Sequence, residues 1–308
     1  MLKRGYNKTI AIGCIMAGGA LGVLIPPSVI MILFALFSQQ SVGRLFVGGL
    51  LPGLLLSSLY VIYIGIRCYL NPSLGPALLP EDRADLRLKL VSLRAVVLPL
   101  LLIVAVLGSI FLGMATPTEA SSVGALGAII CAAIHRRLNW PMVLTAAKRT
   151  LRTTGMIMWI TLASAVFVAV FEGLGAAQLI EEMLKSVEVS KWIILALMQL
   201  ILFILGCFVD PIGILMMTTP VFLPVITFLG FNPLWYGIVF VVNMEMAFLT
   251  PPFGSNLFYM KGVAPKDVTM LDIYRSIVPF VLLQMLGLGL VIAFPQIALF
   301  LPSLVFGS

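Results

Sequence analysis

Charge is what this chain has least of. Only 10% of its 308 residues are charged, with 12 acids, 19 lysines and arginines and a single histidine. So few charges cannot clothe a water-soluble surface, and 61% hydrophobic residues place the chain among membrane proteins. One histidine excludes a His-based metal cluster. The sequence holds no H-E-x-x-H, no G-x-S-x-G elbow and no phosphate-binding loop, so the chain is read as no enzyme, and ATP-driven transport by it alone is disfavoured. Cysteine is scarce as well. Cys14, Cys68, Cys131 and Cys207 lie in or beside apolar stretches without metal-ligand spacing and are expected to be free, buried thiols. The opening Met1-Leu2-Lys3-Arg4-Gly5 has no cleavage site after it and is not expected to be a signal peptide.

What is abundant is apolar sequence in blocks. About 20 apolar residues cross a bilayer as a helix. Segments of that kind fall at 10–37, 46–69, 94–111, 117–134, 153–171, 191–206, 211–228, 235–260 and 277–301, the first and eighth broken by a Pro-Pro pair. The arms 191–206 and 211–228 are short, with a polar tip around Asp210, and read as a re-entrant hairpin. With a cytoplasmic N-terminus, the inner loops are 1–9, 67–94, 135–152 and 261–275. They then hold every basic residue except Arg44, Lys185 and Lys191. Inner Arg67, Arg83, Arg136 and Lys148 contrast with outer Glu172, Glu181, Glu182 and Glu188. That asymmetry satisfies the positive-inside rule and explains the net charge of +7 by topology, not by nucleic acid. Trp140, Trp159, Trp192 and Trp235 fall near expected span ends, as interfacial anchors do, and His135 is read as interfacial.

One pattern is written twice. Gly5-Tyr6-Asn7 leads to Leu24-Ile25-Pro26-Pro27, and Gly230-Phe231-Asn232 leads in the same register to Leu249-Thr250-Pro251-Pro252. Five crossings separate the copies, so they are expected to be antiparallel: an inverted repeat. Paired, Pro-interrupted membrane helices mark a transporter's binding site, because broken backbone at membrane depth belongs beside a cavity. Each proline removes a donor and frees a carbonyl one turn earlier. Carbonyls and hydroxyls there suit a hard cation, and half-helix N-termini suit an anion. Asp210 and Glu245 are acids in apolar surroundings. Asp210 is both a helix cap and a candidate ion contact; Glu245 is read as a polar contact between helices. Thr116-Pro117-Thr118-Glu119 is a capping box opening the 117–134 span, where Gly124 and Gly127 predict close helix packing.

The strings Gly18-Gly19-Ala20-Leu21-Gly22-Val23-Leu24-Ile25-Pro26-Pro27-Ser28, Gly113 to Ala120 and Asn243 to Asn256 resemble the large membrane subunit of tripartite ATP-independent periplasmic (TRAP) transporters. The resemblance covers nearly the whole chain, and Asn256 to Pro265 is most similar to the branch labelled mannitol or chloroaromatic type. It implies an all-α polytopic membrane protein, an inverted-repeat elevator with broken helices and a re-entrant hairpin. It implies Na⁺ as coupling ion and an organic acid as substrate. The implied partners are a small membrane subunit (DctQ-like) and a periplasmic substrate-binding protein (DctP-like), in the bacterial inner membrane with a periplasmic C-terminus. By motif, one ion site would use Gly18, Gly22, Ile25 and Pro26, and the other Gly206, Asp210, Thr250, Pro251 and Gly254. Ser28, Asn243 and Asn256 are the candidates for substrate. The implied division is 1–37 as the remainder of a first repeat, 38–152 as scaffold, 153–262 as the second repeat, and 263–308 as a final span.

The family pattern places further spans and a Ser-Gly-Ser hairpin before the Gly-Tyr that here is Gly5-Tyr6. A shortened N-terminus is therefore expected, as is a chain that does not transport by itself. Two other readings stay open: a related two-component ion or dicarboxylate carrier without a binding protein, and a non-transporting membrane fragment.

Overall fold

The computed structural model describes residues 1–77, 85–176, 179, 182, 189–252 and 254–307. Arg83, Glu181, Lys185, Glu188 and Phe253, used in the sequence reading, lie outside the described residues. The described chain is helical throughout, without strands among the described residues. Seven helical stretches are long and apolar enough to cross a bilayer, the two parts of 8–38 being taken together. By contacts the chain falls into two compact units, 1–76 with 160–308, and 77–159.

The larger unit is built around the repeat. Helix α1 (Lys8–Leu24) and helix α2 (Val29–Ser38) are the halves of the first broken helix. Helix α9 (Pro233–Leu249) and helix α10 (Ser255–Val263) are the halves of the second. The same residues form the same local structure in both copies. Gly5 and Gly230 take left-handed backbone, φ +77° and +75°, which glycine adopts at no steric cost. Asn7 then accepts from the backbone N–H of Thr9 at 2.9 Å, and Asn232 from that of Leu234 at 2.8 Å, capping α1 and α9. At the far ends Ile25 and Thr250 are extended, as residues preceding proline must be, and the Pro26–Pro27 and Pro251–Pro252 bonds are both cis. The expected breaks at 10–37 and 235–260 are therefore present.

Helices α3 (Val42–Leu70), α7 (Lys191–Gly206), α8 (Pro211–Phe228), α11 (Met270–Ala293) and α12 (Gln296–Phe306) surround this pair. Helix α9 is the hub: every residue from Leu234 to Ala247 is buried, and α1, α3, α7 and α11 all pack on it. Small residues set the close approaches. A Cβ on Gly13 would strike Phe280, one on Gly237 would strike Phe34, and one on Gly53 would strike Ile25.

The smaller unit holds helix α4 (Leu86–Phe111), helix α5 (Pro117–Ile134) and the start of helix α6 (Trp140–Gly173). Thr116 and Glu119 form the expected capping box, with the Thr116 N–H donating to Glu119 at 2.7 Å. Gly124 meets Val106 and Gly127 meets Leu102, the close packing of α4 on α5 that the glycines predict.

Three expectations are corrected. The span at 277–301 is two helices, because Pro295 forces Phe294 out of helical backbone and starts α12 afresh. The loop at 135–152 is mostly helix: Asn139 caps the N–H of Met142 at 2.9 Å, Pro141 takes the first turn, and Lys148, Arg149 and Arg152 ride on α6. Trp159 is thus mid-helix. Trp235 is not an interfacial anchor: it is 1% exposed and its indole donates to the carbonyl of Val291 at 2.9 Å. His135 does end α5 and is exposed, its Nδ1 lying 2.8 Å from the Cys131 carbonyl.

Candidate functional site

The hairpin α7–α8 turns through Cys207, Phe208 and Val209, as the short polar tip predicts. Asp210 caps α8 and accepts from the N–H of Ile212 at 2.9 Å, with Pro211 in the first helical position. Gly206 closes α7 flat against α9: a Cβ there would collide with the Cβ of Ala247, one turn before the second break. The tip thus leans on the second broken helix through Gly206. Its other side faces the first break.

There, a cavity of about 290 Å³ is lined by Gly22, Val23, Ser28, Asp210, Pro211 and Phe248, among others. The first break, the hairpin tip and the end of α9 meet at one hollow. The repeat is visible in its walls, because Val23 and Phe248 occupy equivalent positions, each four residues before the second proline of its pair. Pro26 supplies no N–H to the Gly22 carbonyl, which is left without its helical donor beside the cavity. The N-terminus of α2 opens on the same space through Val29 and Ile30.

The expected site residues divide by what they touch. Gly22, Ser28 and Asp210 share the cavity. Gly18, one turn before Gly22, lies on the open side of α1, where a Cβ would meet nothing within 4 Å. Ile25 turns its side chain onto Gly53 of α3 and Pro26 is buried, so these two wedge the first break against its neighbour. Ser28 caps α2 and donates to the Val23 carbonyl, bridging the gap. At the second break Thr250 donates from Oγ1 to the Met246 carbonyl at 2.8 Å, and Pro251 is exposed. Gly254 is buried where a Cβ would strike the carbonyl oxygens of Phe248 and Thr250. Asn256 is half-buried in the first turn of α10.

Asn243 departs from the role expected of it. It is fully buried, and its amide donates to the Gln199 carbonyl at 2.8 Å and to Gln199 Oε1 at 2.7 Å, tying α7 to α9. Glu245 matches the helix contact expected: fully buried, it accepts from Gln284 of α11 at 3.0 Å. Sequence reasoning did not find Gln199 and Gln284. The available signal was an amide inside an apolar span, where an unpaired one is costly and implies a partner.

The family described as the DctM component of the tripartite ATP-independent periplasmic transporters matches residues 1–297. The chain belongs to that family. It is similar to the C4-dicarboxylate TRAP transporter large permease protein DctM of Pseudomonas aeruginosa, with 33% identity over 98% of this chain and 70% of the relative. It is also 29% identical to the sialic acid TRAP transporter large permease protein SiaM of Vibrio cholerae, over 98% and 69%. With the ectoine TRAP transporter large permease protein TeaC of Halomonas elongata it shares 30% identity, over 99% and 70%. As a DctM family member, it is a large permease of the TRAP class, a multi-pass membrane transport protein and not an enzyme.

Proposed function

We propose that this DctM-family chain is the translocating subunit of a Na⁺-coupled importer of an organic acid, fed by a periplasmic binding protein and braced by a small membrane subunit. The cavity where the hairpin tip meets the first break is the observation that carries this reading. Its donors are oxygens: the Asp210 carboxylate and the Gly22 carbonyl, with the Ser28 hydroxyl as a third wall. That set suits a hard monovalent cation, and the 290 Å³ beside it suits a small carboxylate. Sodium, when bound there, supplies the charge that lets an anion sit near Asp210, while the N-terminus of α2 offers the anion backbone N–H groups. Thr250 and Gly254 hold the second break in shape beneath the tip.

In this reading 1–37 and 153–262 form the moving carrier, 38–152 the scaffold, and the repeats run antiparallel in an inner bacterial membrane. The contact of Ile25 with Gly53 then lies on the boundary between carrier and scaffold. The relatives' printed substrates are carboxylates or zwitterions bearing one, which supports an organic acid and leaves its identity to assay.

The test is thiol protection. With Cys14, Cys68, Cys131 and Cys207 replaced by Ser, a cysteine placed at Asp210 or at Thr250 is labelled in membranes containing the assembled transporter. Sodium is expected to slow labelling at Thr250 severalfold where potassium does not. Equal rates in the two salts would overturn the proposal.

A further inference from the structure

A second polar cluster lies away from the hairpin cavity, inside the packing of α3, α9 and α11. Glu245 and Gln284 are fully buried and Tyr60 is 5% exposed. Gln284 Nε2 donates to Glu245 Oε1 at 3.0 Å, and the Tyr60 hydroxyl lies beside both side chains. That leaves Glu245 Oε2, Gln284 Oε1 and Tyr60 Oη, three buried oxygens, without a hydrogen-bond partner. A carboxyl group enclosed at membrane depth with an open oxygen is tolerated only when neutralised, by a cation or by a proton.

The basic side chains on the elements packed against α9 are engaged elsewhere or far along their helices. Lys8 pairs with Asp267 at 2.9 Å, Lys191 lies over Phe231, Arg44 donates to the Gly307 carbonyl, and Lys261 donates to that of Val268. Arg275 lies nine residues before Gln284 on α11, about 13 Å along the axis, and Arg67 lies seven beyond Tyr60 on α3, about 10 Å.

We propose that Glu245, Gln284 and Tyr60 form a buried binding site for one small monovalent cation, separate from the hairpin-tip cavity. An alkali ion neutralises the carboxylate and gives all three oxygens a partner at once, whereas a proton neutralises it and lets the Glu245 carboxyl donate to one of the other two. The chemistry is shared by an alkali ion and by a proton. Either way the site links cation occupancy to the joint between α9 and two neighbouring helices, five residues before the second break.

The test reads the carboxyl group directly. Infrared spectra of the purified full chain in detergent, wild type minus Glu245→Gln, isolate the Glu245 bands. In one arm sodium is added to a buffer whose cation is a large organic amine. In the other, pH is varied without sodium. A carboxylate stretch that shifts with sodium assigns an alkali ion. The carbonyl stretch of a protonated acid at neutral pH, without sodium, assigns the proton. Carboxylate bands that respond to neither overturn the proposal. Should Glu245→Gln not fold, Tyr60→Phe keeps the carboxylate and is expected to weaken the same response severalfold; an unchanged response overturns the proposal equally. Asp210→Asn is expected to leave the Glu245 bands unaltered while abolishing sodium protection at Thr250, which keeps failure here distinct from failure of the hairpin reading.

Discussion

Gly254 is a position where an added methyl group would meet only backbone. Its missing Cβ makes room for two carbonyl oxygens, Phe248 and Thr250, so Gly254→Ala forces backbone apart where no flexible side chain can yield. A destabilisation of about 1–3 kcal/mol, the usual range for overpacking, is expected in thermal unfolding of the detergent-solubilised chain. The Asp210 carboxylate caps α8 by accepting from the Ile212 N–H, and the sodium contact proposed for it is separable from that cap. Asparagine caps helices as well as aspartate, so Asp210→Asn should leave the melting temperature nearly unchanged, whereas Asp210→Ala should cost about 1 kcal/mol. Both should lose sodium protection of the hairpin cavity, because both remove the charge. If Asp210→Asn keeps full protection, the carboxylate is a cap and nothing more.

Elements were legible where a residue type forces backbone geometry. The two Pro-Pro pairs, the Gly-x-Asn starts, the capping box at Thr116 and the Asp-Pro tip of the hairpin each act within one turn, and each stands where the sequence places it. Failures came where the deciding contact is distant or the hydropathy window is blunt. Hydropathy merged α11 with α12 across Pro295, and basic residues hid the first turns of α6 although Asn139 and Pro141 announce them. Trp235 looked like a membrane anchor because nothing local reveals that Val291 waits 56 residues away to accept its N–H. Trp235→Phe should therefore behave as a core substitution. It leaves a buried carbonyl unpaired and is expected to cost about 1–3 kcal/mol, visible as a lower melting temperature. The candidate site was half readable. Asp210 and the freed carbonyl of Gly22 follow from chain chemistry and Ser28 from the family resemblance, but that they face one hollow while Gly206 turns to Ala247 is a fact of tertiary packing.

On the scale of the molecule, the ends of the broken helices are anchored by contacts far apart in sequence. Lys8, at the start of α1, pairs with Asp267, ahead of α11. Its hydrogen bond to Lys8 holds the Asp267 carboxyl below the usual carboxylate range. A depressed folded-state value means the contribution is present above the unfolded value, near 3.9, and disappears as pH falls through the lower folded one. Both side chains are exposed, so the effect is small and screened. Acid melting curves of wild type and Asp267→Asn should converge at low pH, and molar salt should narrow the gap at neutral pH. A gap that widens on acidification would show that some other contact ties these ends together.

The amide pair of Gln199 and Asn243 is buried, with the Asn243 amide donating twice to Gln199. To part them, the protein would have to strand two polar groups in a dry interior, so whatever stroke the subunit makes, the first arm of its hairpin and its second snapped helix ride as one piece of luggage. A permanent sulfur staple between positions 199 and 243 ought to leave the journey intact.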